Sequence, residues 1–148
     1  AALALQHLAD RGMVHRDVKP SNLFVKGGAD PTSGDWGTLK LLDVGLALLA
    51  TDSGRSDSPL TRTGDFLGTP DFMAPEQAVD PHAADVRADL YGLGCTWYFL
   101  LTGRPPFVGG SFVQKIDRHR SEPPRPVDTI RPDVGPEMAV AIHRLLAK

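Results

Sequence analysis

What is scarce in this sequence of 148 residues narrows its class before any motif is considered. A single cysteine, Cys95, excludes an internal disulfide framework, and its apolar surroundings read as those of a small buried hydrophobe. Net charge is nearly absent: 16 Lys and Arg against 18 Asp and Glu give −2 at neutral pH. That balance offers no basic footprint, so nucleic acid is not expected as a partner. Long apolar runs are lacking too. The longest, Tyr91 to Leu101, is about half of what a bilayer crossing requires, and no charged leader with a cleavage site precedes it. The expected location is therefore cytoplasmic, with tethering of a longer parent through another segment left open. The 5 histidines (His7, His15, His82, His119 and His143) show no ligand spacing, which argues against a metal hydrolase.

What is present is ordinary for a globular chain: 41% apolar and 23% charged residues, at a length sufficient for a real core. Residues 1–11, with Leu3, Leu5 and Leu8 among alanines and a stop at Gly12, predict a buried helix. Two short apolar runs, Leu23–Val25 and Leu39–Leu42, flank a Gly-, Asp- and Pro-rich stretch and predict two strands joined by a long turn. Residues 46–72 are small, polar and punctuated by Gly and Pro, which predicts an extended loop. From Asp85 to Thr102, Leu90, Leu93, Trp97, Leu100 and Leu101 recur at helical spacing. Tyr91, Cys95, Tyr98 and Phe99 fill the remaining circumference, so this helix belongs inside a domain. Gly103 and Pro105-Pro106 end it. A shorter helix is expected over 111–119 and a Pro-rich connector over 122–136. A last helix over 136–147 should present Met138, Ala141, Ile142 and Leu145 to the core. Both ends fall inside helical patterns, without an N-cap before the first or a stop after the last. The expectation is a fragment.

The polar stretch His15-Arg16-Asp17-Val18-Lys19-Pro20-Ser21-Asn22 concentrates the chemistry. Phosphoryl transfer needs positioning and charge stabilisation more than covalent participation. A carboxylate must orient the attacking hydroxyl, a cation must neutralise the γ-phosphate, and an oxygen ligand must help hold a divalent metal. Asp17, Lys19 and Asn22 carry these groups on one loop. Asp43 follows the second strand and offers a hard oxygen ligand, although alone it would read as a strand-end turn residue.

The stretch HRDVKPSN resembles the catalytic loop of eukaryotic-like protein kinases, and Asp43-Val44-Gly45 resembles their metal-binding DFG. Gly68 to Glu76, GTPDFMAPE, is similar to the segment ending in APE, and Asp85 to Gly94 to the start of the central helix. Six fixed residues of the first motif recur by chance roughly once in 10⁸ positions, and the others follow in the family's order. The likeness covers the chain and is nearest to bacterial (Hanks-type) Ser/Thr kinases. It implies a mostly α, kinase-like C-terminal lobe with a small β-hairpin and the N-terminal lobe missing, a partial kinase domain over residues 1–148. The activity it implies is transfer of the γ-phosphoryl of ATP to Ser or Thr hydroxyls of protein substrates, with Mg²⁺ or, in its place, Mn²⁺.

Carried onto this sequence, the resemblance makes Asp17 the base and Lys19 the γ-phosphate contact. Asn22 and Asp43 become metal ligands, and Lys19, Ser21, Asn22, Phe24 and Asp43 nucleotide contacts, with Phe24 against the adenine. Thr69 would bond near Asp17 and Lys19 and marks Ser/Thr specificity. His15, Thr69, Glu76 and Asp89 become structural or peptide-positioning residues. Asp89 would anchor the catalytic loop; otherwise it is an acidic residue of a helix first turn, and Asp85 competes for the capping role. Arg16 would pair with a phosphorylated activation-loop residue, with Ser58, Thr61 and Thr63 as candidates. Phosphate at Thr61 or Thr63 would add enough charge-assisted bonds to order the loop, and a homodimer is one route to that autophosphorylation.

The sequence departs from the family at Val44, where a Phe is usual; the loss is about 1–3 kcal/mol of apolar burial. The turn 26–38 is long, and its Trp36 has the character of a cover for a neighbouring surface. The 148 residues contain no Gly-rich phosphate loop, ATP-anchoring lysine or partner glutamate, and the arginine that would pair with Glu76 is expected just past Lys148. A buried Glu76 left unpaired would then cost several kcal/mol, as an uncompensated charge does. The isolated 148 residues are expected to fold marginally, bind ATP poorly and phosphorylate nothing. A pseudokinase is disfavoured because the Asp, Lys, Asn and metal Asp are all kept. A small-molecule kinase is disfavoured because the GTPDFMAPE segment is present.

Overall fold

The computed structural model describes residues 1–28, 30, 32, 34–44, 70–80 and 84–148. Their element order is α1 (Ala2–Ala9), β1 (Leu23–Lys26), β2 (Thr38–Leu41), α2 (Pro75–Val79), α3 (Val86–Thr102), α4 (Phe112–Ser121) and α5 (Pro136–Leu145). Single 3₁₀ turns lie at Pro20–Asn22, Pro70–Phe72 and Val127–Thr129. The architecture is mostly α with one antiparallel hairpin, in which Leu23 faces Leu41 and Lys26 faces Thr38. Among the described residues no helix is long and apolar enough to cross a membrane.

Helix α3 organises the rest. Asp85 caps its start by accepting the Arg87 amide at 2.8 Å, satisfying one of the donors that a helix N-terminus leaves open. Gly103 ends it in the left-handed region (φ 72°), donating its N–H to Phe99 O, a conformation that costs glycine nothing. One side of α3 packs with α5 and the Val127 turn around Ala88, Tyr91, Cys95, Tyr98, Ile142 and Leu146. The other side joins Leu93 to Leu5, Leu8 and Val18. Trp97 touches both clusters, so α3 is the shared wall between them.

Several faces differ from the sequence expectation. Helix α1 buries only Leu5 and Leu8; Leu3 is 87% exposed, so a single stripe is buried rather than the whole helix. In α3 the closed face is Ala88, Tyr91, Gly92, Leu93, Cys95 and Thr96, whereas Leu100 is exposed. The reason is close approach. A Cβ on Gly94 would stand 2.8 Å from Leu145 Cβ, and one on Gly92 would stand 3.0 Å from Val18 O. Small residues let a neighbouring carbonyl and neighbouring leucine side chains come in, and that defines the inside. Helix α5 is likewise rotated: Ala139, Ile142 and Leu146 are buried and Met138 is exposed. Trp36 is 69% exposed.

Candidate active site

The loop between α1 and β1 is held from beneath by α3. Asp89, buried at 1% exposure, accepts the His15 amide on Oδ2 at 2.8 Å and the Arg16 amide on Oδ1 at 2.7 Å. Burial pushes the Asp89 carboxyl pKa up, and the two backbone N–H groups pull it back down. Asp89 and Asp85 therefore divide their work: Asp85 caps the helix and Asp89 clamps the loop. Arg16 adopts φ 65°, in the left-handed region that non-glycine residues rarely occupy. Both ends of that residue are tied, the N–H by Asp89 and the carbonyl by Gln77 Nε2, which donates to it at 2.8 Å. The Arg16 Nε is buried and has no partner among the described residues.

His15 is buried and joins three segments. Its Nε2 lies 2.8 Å from Leu42 O, and its Nδ1 accepts the Asp17 amide at 3.3 Å. Acceptance at Nδ1 places the ring proton on Nε2, where it is donated to the Leu42 carbonyl. The residue after Leu42 is Asp43, itself at φ 58°, so His15 locks the strand end that presents this carboxylate. The Leu42 amide in turn donates to Asn22 O at 2.8 Å. Val18 is fixed against α3, its carbonyl facing Gly92 and taking a 3.4 Å bond from Thr96 Oγ1.

On this frame the polar groups of the loop converge. Asp17 Oδ2 receives Asn22 Nδ2 at 3.0 Å and Lys19 Nζ at 2.8 Å. Asn22 also donates to Asp17 O at 2.8 Å, which spends its amide N–H groups and leaves Oδ1 for another ligand. Asp17 Oδ1 has no described protein partner, and the side chain is about one third exposed. Such an arrangement can orient a hydroxyl at Oδ1 while the lysine stands beside it as a mobile cation. No group of three or more His, Cys, Asp or Glu suited to a metal occurs among the described residues. The oxygen donors to hand are Asn22 Oδ1 and the Asp43 carboxylate. This sparse set suits a hard divalent cation that takes one or two protein oxygens and completes its shell with water and substrate phosphates.

Phe24 is half exposed on β1, and Val44 is exposed beside Asp43. Ser21 is exposed on the 3₁₀ turn. Glu76 is exposed at the rim of a cavity of about 520 Å³ that Arg87 and Arg144 also line. The burial penalty expected for an unpaired Glu76 therefore does not arise, since water solvates it. Ser58, Thr61, Thr63 and Thr69 lie outside the described residues. Sequence reasoning missed Gln77, Gly92 and Thr96 as supports of the loop. Only the small size of residue 92 within an apolar helix signalled a close approach.

The family model of the protein kinase domain matches residues 1–142. The chain is 36% identical over all its 148 residues to the serine/threonine-protein kinase PknB of Mycolicibacterium smegmatis, covering 22% of that protein. It is 41% identical over 145 residues to the serine/threonine-protein kinase Pkn1 of Myxococcus xanthus, covering 98% of this chain and 20% of that protein. PknB of Mycobacterium tuberculosis is 34% identical over 148 residues, 100% of this chain and 22% of that protein. The chain thus spans about a fifth of the length of the curated relatives it matches. With the loop geometry and the sequence matches in agreement, the chain belongs to the protein kinase family, among relatives that are bacterial Ser/Thr kinases.

Proposed function

We propose that these residues are the catalytic-loop-bearing lobe of a Ser/Thr protein kinase that moves the γ-phosphoryl of ATP to Ser or Thr hydroxyls of proteins. The observation that carries this reading is the convergence of Asn22 and Lys19 on Asp17 Oδ2, with Oδ1 open. Asp17 orients the incoming hydroxyl and takes its proton as its oxygen bonds to the γ-phosphorus and the bond to the β–γ bridging oxygen breaks, releasing ADP. Lys19 turns from the carboxylate to the γ-phosphate as charge develops there. Asn22 and Asp43 would hold the divalent cation, whose contribution when bound would be to neutralise and align the phosphates. Phe24, on the open face of the hairpin, meets the adenine, and Ser21 borders the nucleotide. ATP gripping belongs to a part of the parent other than these residues. The 148 residues alone are accordingly inactive, and the parent is cytoplasmic or tethered through another segment.

The parent is switched on by autophosphorylation at Thr61 or Thr63, one copy acting on another. The support is Arg16, whose backbone is held in the left-handed region and whose buried Nε has no partner among the described residues. The test is phosphotransfer by the parent with Mg²⁺-ATP, with modified residues located by mass spectrometry. Phosphoserine or phosphothreonine on a protein acceptor, and a drop of at least tenfold in rate for Thr61→Ala/Thr63→Ala, are expected. No transfer by folded, activated parent would end the kinase reading; an unchanged rate in the double variant would end the switch.

A further inference from the structure

The peptide group that joins Arg16 to Asp17 sets where the Asp17 carboxylate points, and its two polar ends are held unequally. Its N–H donates to His15 Nδ1 across 3.3 Å, a long bond that aligns more than it restrains. Its carbonyl accepts Gln77 Nε2 at 2.8 Å. Asp89 holds the two peptide groups that precede the Arg16 Cα, through the amides of His15 and Arg16. Gln77 holds the one that follows. Between them Arg16 stands at φ 65°, a conformation that a residue with a Cβ keeps only when its surroundings impose it.

Gln77 reaches the loop from a fixed base. It is the third residue of α2, which Pro75 opens. Its Oε1 accepts the Ala74 amide at 3.0 Å, and its own amide donates to Ala74 O at 3.1 Å. Ala74 is fully buried in the core beside Ala88 and Tyr91. One end of the carboxamide is thus anchored in the core, and the other end lies on the catalytic loop. A single orientation of the amide serves both contacts: Oε1 has no proton to give to Arg16 O, and Nε2 cannot accept from the Ala74 amide. The contact spans 61 residues of sequence and joins the segment ending in Ala74-Pro75-Glu76 directly to the residue before Asp17.

We propose that Gln77 is a positioning residue for phosphoryl transfer, aiming Asp17 by holding the Arg16–Asp17 peptide group in one orientation. This role rests on the reading of Asp17 as the base and adds the residue that orients it. Without the Gln77 bond the Arg16 carbonyl is free to turn, and Asp17 turns with it. A displacement of about 1 Å at a reacting group is enough to cost about a hundredfold in rate.

The test uses the full-length parent, Mg²⁺-ATP and a protein acceptor, with every variant assayed well below its unfolding midpoint. Gln77→Glu keeps an acceptor for the Ala74 amide but sets a second oxygen against Arg16 O. Gln77→Met fills a similar volume and makes neither bond. In both, kcat should fall by about ten- to a hundredfold while KM for ATP stays within about twofold, since the loss falls on the chemical step. Because Gln77 acts through Asp17, the same changes made in Asp17→Asn should cost less than about twofold further. A kcat within about twofold of the parent's in both Gln77 variants would overturn the role. So would an equal loss in the parent and in Asp17→Asn, the mark of a general structural defect. If Asp17→Asn is slow and the Gln77 variants are not, the positioning role alone fails. If the parent transfers phosphate to no acceptor, the reading of Asp17 fails and takes this role with it.

Discussion

Replacing Asp89 with asparagine keeps the shape of the side chain while removing its charge and one of its two acceptors. The carboxylate holds two backbone donors, His15 N at 2.8 Å and Arg16 N at 2.7 Å. Bonds to a charged acceptor contribute about 1.5–3 kcal/mol each, so the pair accounts for about 3–6 kcal/mol. Asparagine recovers one of them as a neutral bond of about 0.5–1.5 kcal/mol and turns its own N–H₂ toward the other donor. It also avoids the desolvation that pushes the Asp89 pKa up. The net loss expected is about 2–4 kcal/mol. At a urea slope of about 2 kcal/mol per molar, the unfolding midpoint of the kinase domain should fall by about 1–2 M with the slope unchanged. The sign with pH supplies a control. The folded pKa of Asp89 lies above its unfolded value, so its share of stability declines as pH rises through that window, and the asparagine variant lacks this decline. Arg16, no longer held at φ 65°, should relax, and phosphotransfer should drop at least a hundredfold. A midpoint shift below about 0.3 M, or undiminished transfer, would refute the clamp.

Two further perturbations follow from the packing. His119 is fully buried, its Nδ1 lies 2.9 Å from Tyr91 OH, its Nε2 has no described partner, and burial pushes its pKa down to about 4. The unfolded value is about 6.5, so the unfolded chain gains a proton first as pH falls. Stability present above about pH 6.5 is then lost toward pH 4, at up to about 1.4 kcal/mol per unit and about 3 kcal/mol in all. Denaturant titrations across that range should show the slope, and His119→Phe should flatten it; an identical slope in the variant would refute the assignment. In Gly92→Ala the new Cβ would lie 3.0 Å from Val18 O and 3.4 Å from Phe72 O. The overpacking should outweigh the gain in helix propensity by about 1–2 kcal/mol, read as a lowered melting temperature; a raised one would show that the loop stands farther from α3.

The clustering of polar groups over residues 15–22 and the span of α3 were legible in the sequence because their signals are local. Asp17, Lys19 and Asn22 sit within one short stretch, and Asp85 and Gly103 punctuate the helix by capping chemistry. The faces of α3 and α5 were not legible. Leucine spacing pointed to Leu100 and Met138, both exposed, because the inside is defined by where Gly92 admits the Val18 carbonyl and Gly94 the Leu145 and Leu146 side chains. Gln77 was invisible for a different reason: it reaches Arg16 O across 61 residues of sequence, a purely tertiary bond. The left-handed backbone at Arg16 and Asp43 likewise has no signature in the residue types, since it is imposed by Asp89, Gln77 and His15.

The most direct test of the account is single-turnover phosphotransfer by the activated parent and its Asp17→Asn variant, with ATP affinity measured on both. Asparagine preserves the contact with Lys19 and Asn22 in outline but cannot take the proton. The account predicts a rate lower by about 10²–10⁴, the usual contribution of a positioned base, with ATP affinity changed by less than about threefold. Transfer by the variant at the parent's rate would contradict the assignment of Asp17 and with it the account of the site.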